Sequence, residues 1–248
     1  YKSFLEILYL SSVGLVCFAS GERMALATFF LALFLLLFFL KNKRVILLLS
    51  ITLSLFFIAL SLKFHPFYND YVILESTHYH QGLTIEKFFE CSDDVSKKCS
   101  KIISLQPSFL EVIKNFSSSA YGEIYKVGLN MFLDNPLSGV GISNYQTACI
   151  NISKYNQLMI NYDCASHPHN TYIQWLSEGG IITLASFIFF LFSIFYFLIN
   201  GKNIIIFKLI PIVIIIILFW PIMSTGSLLK NWNGVLTFYI IGLCISLN

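Results

Sequence analysis

Long apolar runs alternate along the chain with short polar breaks, and one polar stretch is far longer than the rest. A bilayer core takes about 20 apolar residues of helix, with a range of roughly 17 to 25. The runs predict six spans of this kind: Ser3–Ala19, Met24–Leu40, Val45–Leu62, Ile181–Ile199, Ile204–Trp220 and Val235–Leu247. The short breaks read "SGER", "KNKR", "NGKN" and "PIMSTGSLLKNWNG". The last run is short unless Leu228 and Leu229 belong to it.

Composition agrees with lipid as the solvent. The chain is 56% hydrophobic and 12% charged, where a soluble domain carries about 25% charged residues. The expected fold is therefore an all-α polytopic membrane protein of about six transmembrane helices. A large, mostly helical loop is expected between the third and fourth. The net charge of +3 matters less than where the charges fall. If six spans alternate, Lys2, Lys41, Lys43, Arg44, Lys202 and Lys208 share one side, and the positive-inside rule makes it the cytoplasm. The other side receives "SGER", the long loop and "STGSLLKNWNG". Three regions follow: spans in 1–62, an outer loop domain in 63–170, and an interfacial helix with three spans in 171–248. The chain starts at Tyr1 with no signal-peptide pattern, and reads as the C-terminal part of a longer protein.

The outer loop has 108 residues, with eight Lys, ten Asp or Glu and no Arg. Loops of that length without function are uncommon. Tyr121, Ile124, Tyr125, Leu129 and Phe132 recur at helical spacing, which predicts an amphipathic helix ended by "DNP". "SGVGIS" is then a tight glycine turn, and "NYQTACI" a second short helix. Four cysteines, Cys91, Cys99, Cys149 and Cys164, lie in this loop. An even count on a non-cytoplasmic side suggests disulfides. Three connectivities exist, and proximity favours Cys91–Cys99 and Cys149–Cys164; free thiols or a metal site are the alternatives. Cys17 and Cys244 lie in apolar runs and read as packing residues.

Few residues can carry chemistry. Arg23 stands at the outer end of the second span, where an ionisable group is costly and a functional candidate by default. Its planar fork of donors suits phosphate oxygens. The plainer reading is an interfacial Arg23–Glu22 pair. His167 and His169, in "HPHN", fall on the same outer face. A histidine titrating near neutrality can accept a proton from an attacking hydroxyl. Pro168 stiffens the backbone between them. Asn170 is placed to cap a helix that starts near Thr171, and "EGG" marks a bend before the span. A second pair, His78 and His80, raises a zinc alternative in which both H-x-H pairs join Asp163, but neither pair has the helical i, i+4 spacing or a C-x-x-C partner. A transporter with an outer lid is the reading from another class. Against it, no span holds an acid or lysine in its middle, and no inverted repeat appears.

Two stretches carry a resemblance. "NMFLDNPLSGVGISNYQTAC", followed by "CASHPHNTYIQWLSEGGI", is similar to the C-terminal signature of the O-antigen ligase and polymerase superfamily of bacterial envelopes, over roughly Arg23 to Leu184. His169 and Gly180 keep the His–Gly gap of the ligases, and "SGER" resembles the family's arginine-bearing segment. The resemblance implies an enzyme of the bacterial inner membrane with its large loop in the periplasm. It would move a glycan from undecaprenyl diphosphate to an acceptor hydroxyl, on lipid A core in a ligase or on a growing glycan in a polymerase. Neither a nucleotide sugar, a metal nor another cofactor is implied; the partners are the lipid-linked donor, the acceptor and membrane lipids, with no nucleic acid. His169 would be the base and Arg23 the cation on the leaving diphosphate, with His167, Asn170 and Lys126 as substrate-binding residues. The chain departs from the family at Gln146 and Tyr121, where basic residues are frequent. Lys126 is then the substitute for a second phosphate-binding arginine.

Overall fold

Inside a bilayer the backbone finds no water, so an apolar segment must bond to itself as a helix. A computed structural model of the chain describes residues 2–20, 23–64, 71–80, 83–90, 99–101, 116–160, 162–201, 205–222 and 224–247. It divides into two compact units, residues 1–37 with 41–116, and residues 38–40 with 117–248. The first opens with α1 (Lys2–Ala19), α2 (Arg23–Phe39) and α3 (Arg44–Phe64). Small residues line the seam between α1 and α3, as apolar helices require when no hydrophobic effect drives them together. Ser11 donates to the Ser50 carbonyl at 3.3 Å, and a Cβ on Gly14 would come within 2.7 Å of the Ser54 hydroxyl. An ion pair of Lys43 with Glu6, at 2.7 Å, ties one end of the pair.

By length and composition, three helices among the described residues can cross a membrane: Lys2–Ala19, Lys41–Phe64 and Thr171–Asn200. Met24–Phe39 and Phe207–Leu218 are apolar but shorter. The run expected as a sixth span lies in a helix of 16 residues, Asn231–Ser246.

The expectation of a mostly helical loop needs correction in its first half. The backbone there forms β1 (Tyr71–His80), β2 (Leu83–Glu90) and β3 (Cys99–Lys101), an antiparallel sheet in the order β2-β1-β3. His80 pairs with Leu83, and the register shifts between Leu74 and Thr77. "YVIL" and "LTIEKFF" are rich in β-branched and aromatic residues, the composition that suits a pleated surface.

The second unit holds the rest of the loop and the last helices. It comprises α4 (Ala120–Asp134), α5 (Tyr145–Asn151), α6 (Ser153–Asn156), α7 (Thr171–Asn200), α8 (Ile205–Leu218) and α9 (Asn231–Ser246). Two clusters organise it. Phe187, Leu191, Ile194, Leu198, Ile215, Phe219 and Ile241 join α7, α8 and α9. Ile124, Val127, Met131, Tyr145, Cys149 and Tyr155 join α4, α5 and α6. Gly128 lets α4 approach α7 closely, for a Cβ there would lie 2.7 Å from Ile173.

Candidate functional site

The site is built where α7 begins. Asn170 has extended backbone, and its side-chain oxygen accepts from Tyr172 N at 3.0 Å and Ile173 N at 3.1 Å. Two of the helix's otherwise unpaired amides are thus satisfied. The amide nitrogen of Asn170 donates to the Pro221 carbonyl at 2.8 Å. Tyr125, on α4, also bonds to the Asn170 side chain, while burial raises its phenol above the ordinary value. Asn170 is therefore a clamp as well as a cap.

One residue earlier the chain turns in a way that side chains rarely allow. His169 has φ 55°, in the left-handed region, a conformation that persists only when its surroundings hold it. The hold comes from the segment between α8 and α9. Thr225 N donates to the His169 carbonyl at 2.7 Å. The Thr225 carbonyl lies 3.2 Å from His167 Nε2, and its hydroxyl lies 3.1 Å from that of Thr171.

These partners assign the His167 tautomer. A carbonyl only accepts, so Nε2 carries the proton and Nδ1 accepts from the Ser166 hydroxyl at 3.0 Å. Ser166 Oγ in turn accepts from Lys230 Nζ at 3.1 Å. His167 is 7% exposed, and both of its ring nitrogens are engaged. His169 differs. Its ring lies 4.2 Å from that of His167, tilted by 45°, and meets Tyr121 edge-on at 6.2 Å. No described residue hydrogen-bonds its ring nitrogens.

Burial pushes both imidazoles towards the neutral form. His167 is lowered to about 4, by burial first and then by the neighbouring His169 and by Lys230, against a raising bond to Thr225. His169 is lowered by burial and then by Lys230. Near neutral pH the pair is therefore uncharged, and His169 is free to take up a proton.

Two turns into α7, in the "EGG" expected to mark a bend, lies a buried carboxylate. Glu178 is 1% exposed. Its oxygens accept from Ser143 N at 3.1 Å, Tyr145 N at 3.3 Å and Gln174 Nε2 at 3.2 Å. Gln174 also donates to the Ser227 hydroxyl at 2.8 Å. Glu178 thus joins the glycine turn to α7 and, through Gln174, to the segment that holds the histidines. The turn is further bound by Val140 N to the Ser177 carbonyl and Gly141 N to the Glu178 carbonyl, both at 2.9 Å.

The disulfide Cys149–Cys164, whose ends stand 15 positions apart in sequence, fixes the chain just before Ser166 to α5. A loop of that length gives about 3 kcal/mol in the chain-entropy view. The Cys91–Cys99 pairing, the side chains of His78 and His80, and the Arg23 side chain lie outside the described residues. Arg23 itself opens α2 in the other unit. Lys126 is exposed on α4 and donates to the Ser117 carbonyl at 2.6 Å. Thr225 and Lys230 were missed from sequence. They stand more than fifty residues beyond the histidines, in a stretch with no motif of its own.

The glycine turn, the capped histidine pair and the glycine break inside α7 form one continuous construction, and a protein family is defined over this same stretch. The family described as O-antigen ligase matches residues 8–188. The chain belongs to the O-antigen ligase family. No curated protein and no solved structure matches it. Within the O-antigen ligase match lie Arg23, both site histidines, Glu178 and Gly180; Thr225 and Lys230 fall beyond it. Membership implies a glycosyltransferase-like membrane enzyme of O-antigen biosynthesis, with lipid-linked glycans and glycan acceptors as partners.

Proposed function

We propose that the protein transfers a glycan from undecaprenyl diphosphate to a hydroxyl of lipid A core, at the periplasmic face of the inner membrane. The observation that carries this reading is His169: a neutral imidazole, held by Thr225, with ring nitrogens that no described residue occupies. The acceptor oxygen attacks the anomeric carbon, its proton passes to His169, and the bond from that carbon to the diphosphate oxygen breaks. The electron pair leaves with the diphosphate. His167 and Asn170 position the base, and Arg23 neutralises the leaving group. A polymerase would run the same chemistry with a growing glycan as acceptor; the His169–Gly180 spacing favours the ligase.

The diphosphate develops charge as it leaves, and a fixed donor at that point lowers the barrier by more than it aids binding. Arg23→Lys keeps the charge but loses the bidentate fork. Transfer by the full-length protein in membranes should then fall by roughly 10²-fold. A variant with near-normal rates on both lipid A core and glycan acceptors would remove Arg23 from the mechanism. The reading also needs six spans and a periplasmic loop, which the distribution of Lys and Arg supports. A protease added outside spheroplasts should cut near Ser96 and spare the "KNKR" turn; the opposite pattern would overturn the orientation.

A further inference from the structure

We propose that Lys230 is the anion-binding residue of the histidine site, receiving diphosphate oxygens of the lipid-linked donor next to the Ser166 hydroxyl. The proposal rests on the glycan-transfer reading and adds to it a residue outside the family match.

Lys230 stands immediately before α9, exposed, with Nζ on the Ser166 hydroxyl at 3.1 Å. Ser166 continues to His167, and the His167 ring lies 4.2 Å from that of His169. One exposed ammonium is thus wired by short contacts to the base. The lysine is also uncompensated among the described residues. Lys154 is paired with Asp134 at 2.6 Å and Lys43 with Glu6 at 2.7 Å. Among the described residues no carboxylate pairs with Lys230. The buried acid of α7, Glu178, accepts from Ser143, Tyr145 and Gln174 instead. Tyr121, edge-on to His169, and Tyr125, bonded to Asn170, come from α4 and are phenols. A cation beside two uncharged imidazoles, with no anion of its own among the described residues, is a place for an anion from elsewhere.

The arrangement also couples donor binding to basicity. Lys230 disfavours a proton on either histidine. A diphosphate on Lys230 cancels that repulsion and adds attraction of the opposite sign. The base is then a weak proton acceptor in the empty site and a stronger one once the donor has arrived.

The test uses the full-length protein in phosphatidylcholine nanodiscs, with inorganic diphosphate as the first probe. Ring-proton NMR reads the titration midpoints of His167 and His169. Diphosphate should raise the His169 midpoint in the wild type. In Lys230→Gln both midpoints should be raised before any ligand is added, diphosphate should bind at least tenfold more weakly, and its effect on His169 should vanish. Lys230→Arg should retain binding, which separates loss of charge from loss of fold. Nanodiscs carrying undecaprenyl diphosphate should raise the wild-type midpoint, and nanodiscs carrying phosphatidylglycerol should not. A rise with phosphatidylglycerol would assign Lys230 to bulk membrane headgroups and overturn the proposal. Equal diphosphate affinity in Lys230→Gln, or midpoints that ignore diphosphate, would overturn it too. Lys230-dependent diphosphate binding in a protein that transfers no glycan would leave the anion site standing and sink the transfer reading instead.

Discussion

His169→Ala is expected to lower glycan transfer by roughly 10²- to 10⁴-fold, the range that a positioned base contributes, with donor binding changed little. A base acts in the transition state, so its removal lowers the turnover rate more than it weakens ground-state binding. His167→Ala should cost less, because the Thr225 amide still holds the His169 carbonyl at 2.7 Å when the His167 ring is gone. The pH profile carries the same signature. The active form of His169 is the neutral one, and burial lowers its pKa below the ordinary 6.5. The kcat/KM for transfer, which reports the free enzyme, should therefore stay flat as pH falls through 6.5 and drop only below it, as the ring takes a proton. His167 adds a stability term of definite sign. The unfolded chain protonates it near 6.5, the folded one only at about 4. Its contribution is whole above 6.5 and declines as pH falls from there towards 4, because the unfolded state binds the proton first. Transfer is to be measured with full-length variants at matched expression. A His169→Ala protein working near the wild-type rate would end the assignment.

Gly180→Ala is expected to destabilise the second unit strongly. Gly180 has φ 69° and ψ −164° inside α7, a region that is essentially glycine's alone and costs other residues about 1–3 kcal/mol. Space forbids the methyl as well, for a Cβ would collide with the Leu137 carbonyl and stand 2.7 Å from Ser138 N. Relief would require the glycine turn to lift from α7. Ile181 N to the Pro136 carbonyl would then be lost, with the bonds from Val140 and Gly141 and the amides that satisfy Glu178. An unsatisfied buried carboxylate adds a further penalty of several kcal/mol. The thermal midpoint in nanodiscs should fall by several degrees or more, and transfer should go with it. Gly242 supplies the comparison: it lies in α9 with nothing within 4 Å of a built Cβ. Gly242→Ala should be neutral or slightly stabilising, since alanine is the better helix former by about 1 kcal/mol. If the two substitutions shift the midpoint equally, the steric account of Gly180 is wrong.

Much of this was legible before any coordinates. Lipid leaves a backbone no partner but itself, so apolar runs such as Ser3–Ala19 and Val45–Leu62 could only be helices, and α1 and α3 contain them. Asn170 before an apolar helix signals a cap because its side chain replaces a missing intrahelical acceptor, a local property of a few residues. The paired glycines of "SGVG" and "EGG" marked places where the backbone must turn. The sheet at 71–101 escaped the same reading, because strand pairing joins segments whose periodicity was too short and mixed to be distinguished from loop.

Other features depend on what the folded chain lays over a residue. A histidine's basicity is set by burial and by its neighbours. The neighbours that matter here, Thr225 and Lys230, arrive from a segment between α8 and α9 that carries no pattern pointing at "HPHN". Glu178 looked like the first residue of a bend. Its amide partners come from Ser143 and Tyr145, more than thirty residues earlier in sequence. Sequence alone determined which segments would be helical and which residue types would stand at the site, since both follow from local composition and spacing. Tertiary structure decided which imidazole is committed and which, among the described residues, is free, where the exposed Lys230 stands, and why Gly180 must remain glycine. Each of these is a contact between residues distant in the chain, and such contacts leave no period in the sequence to read.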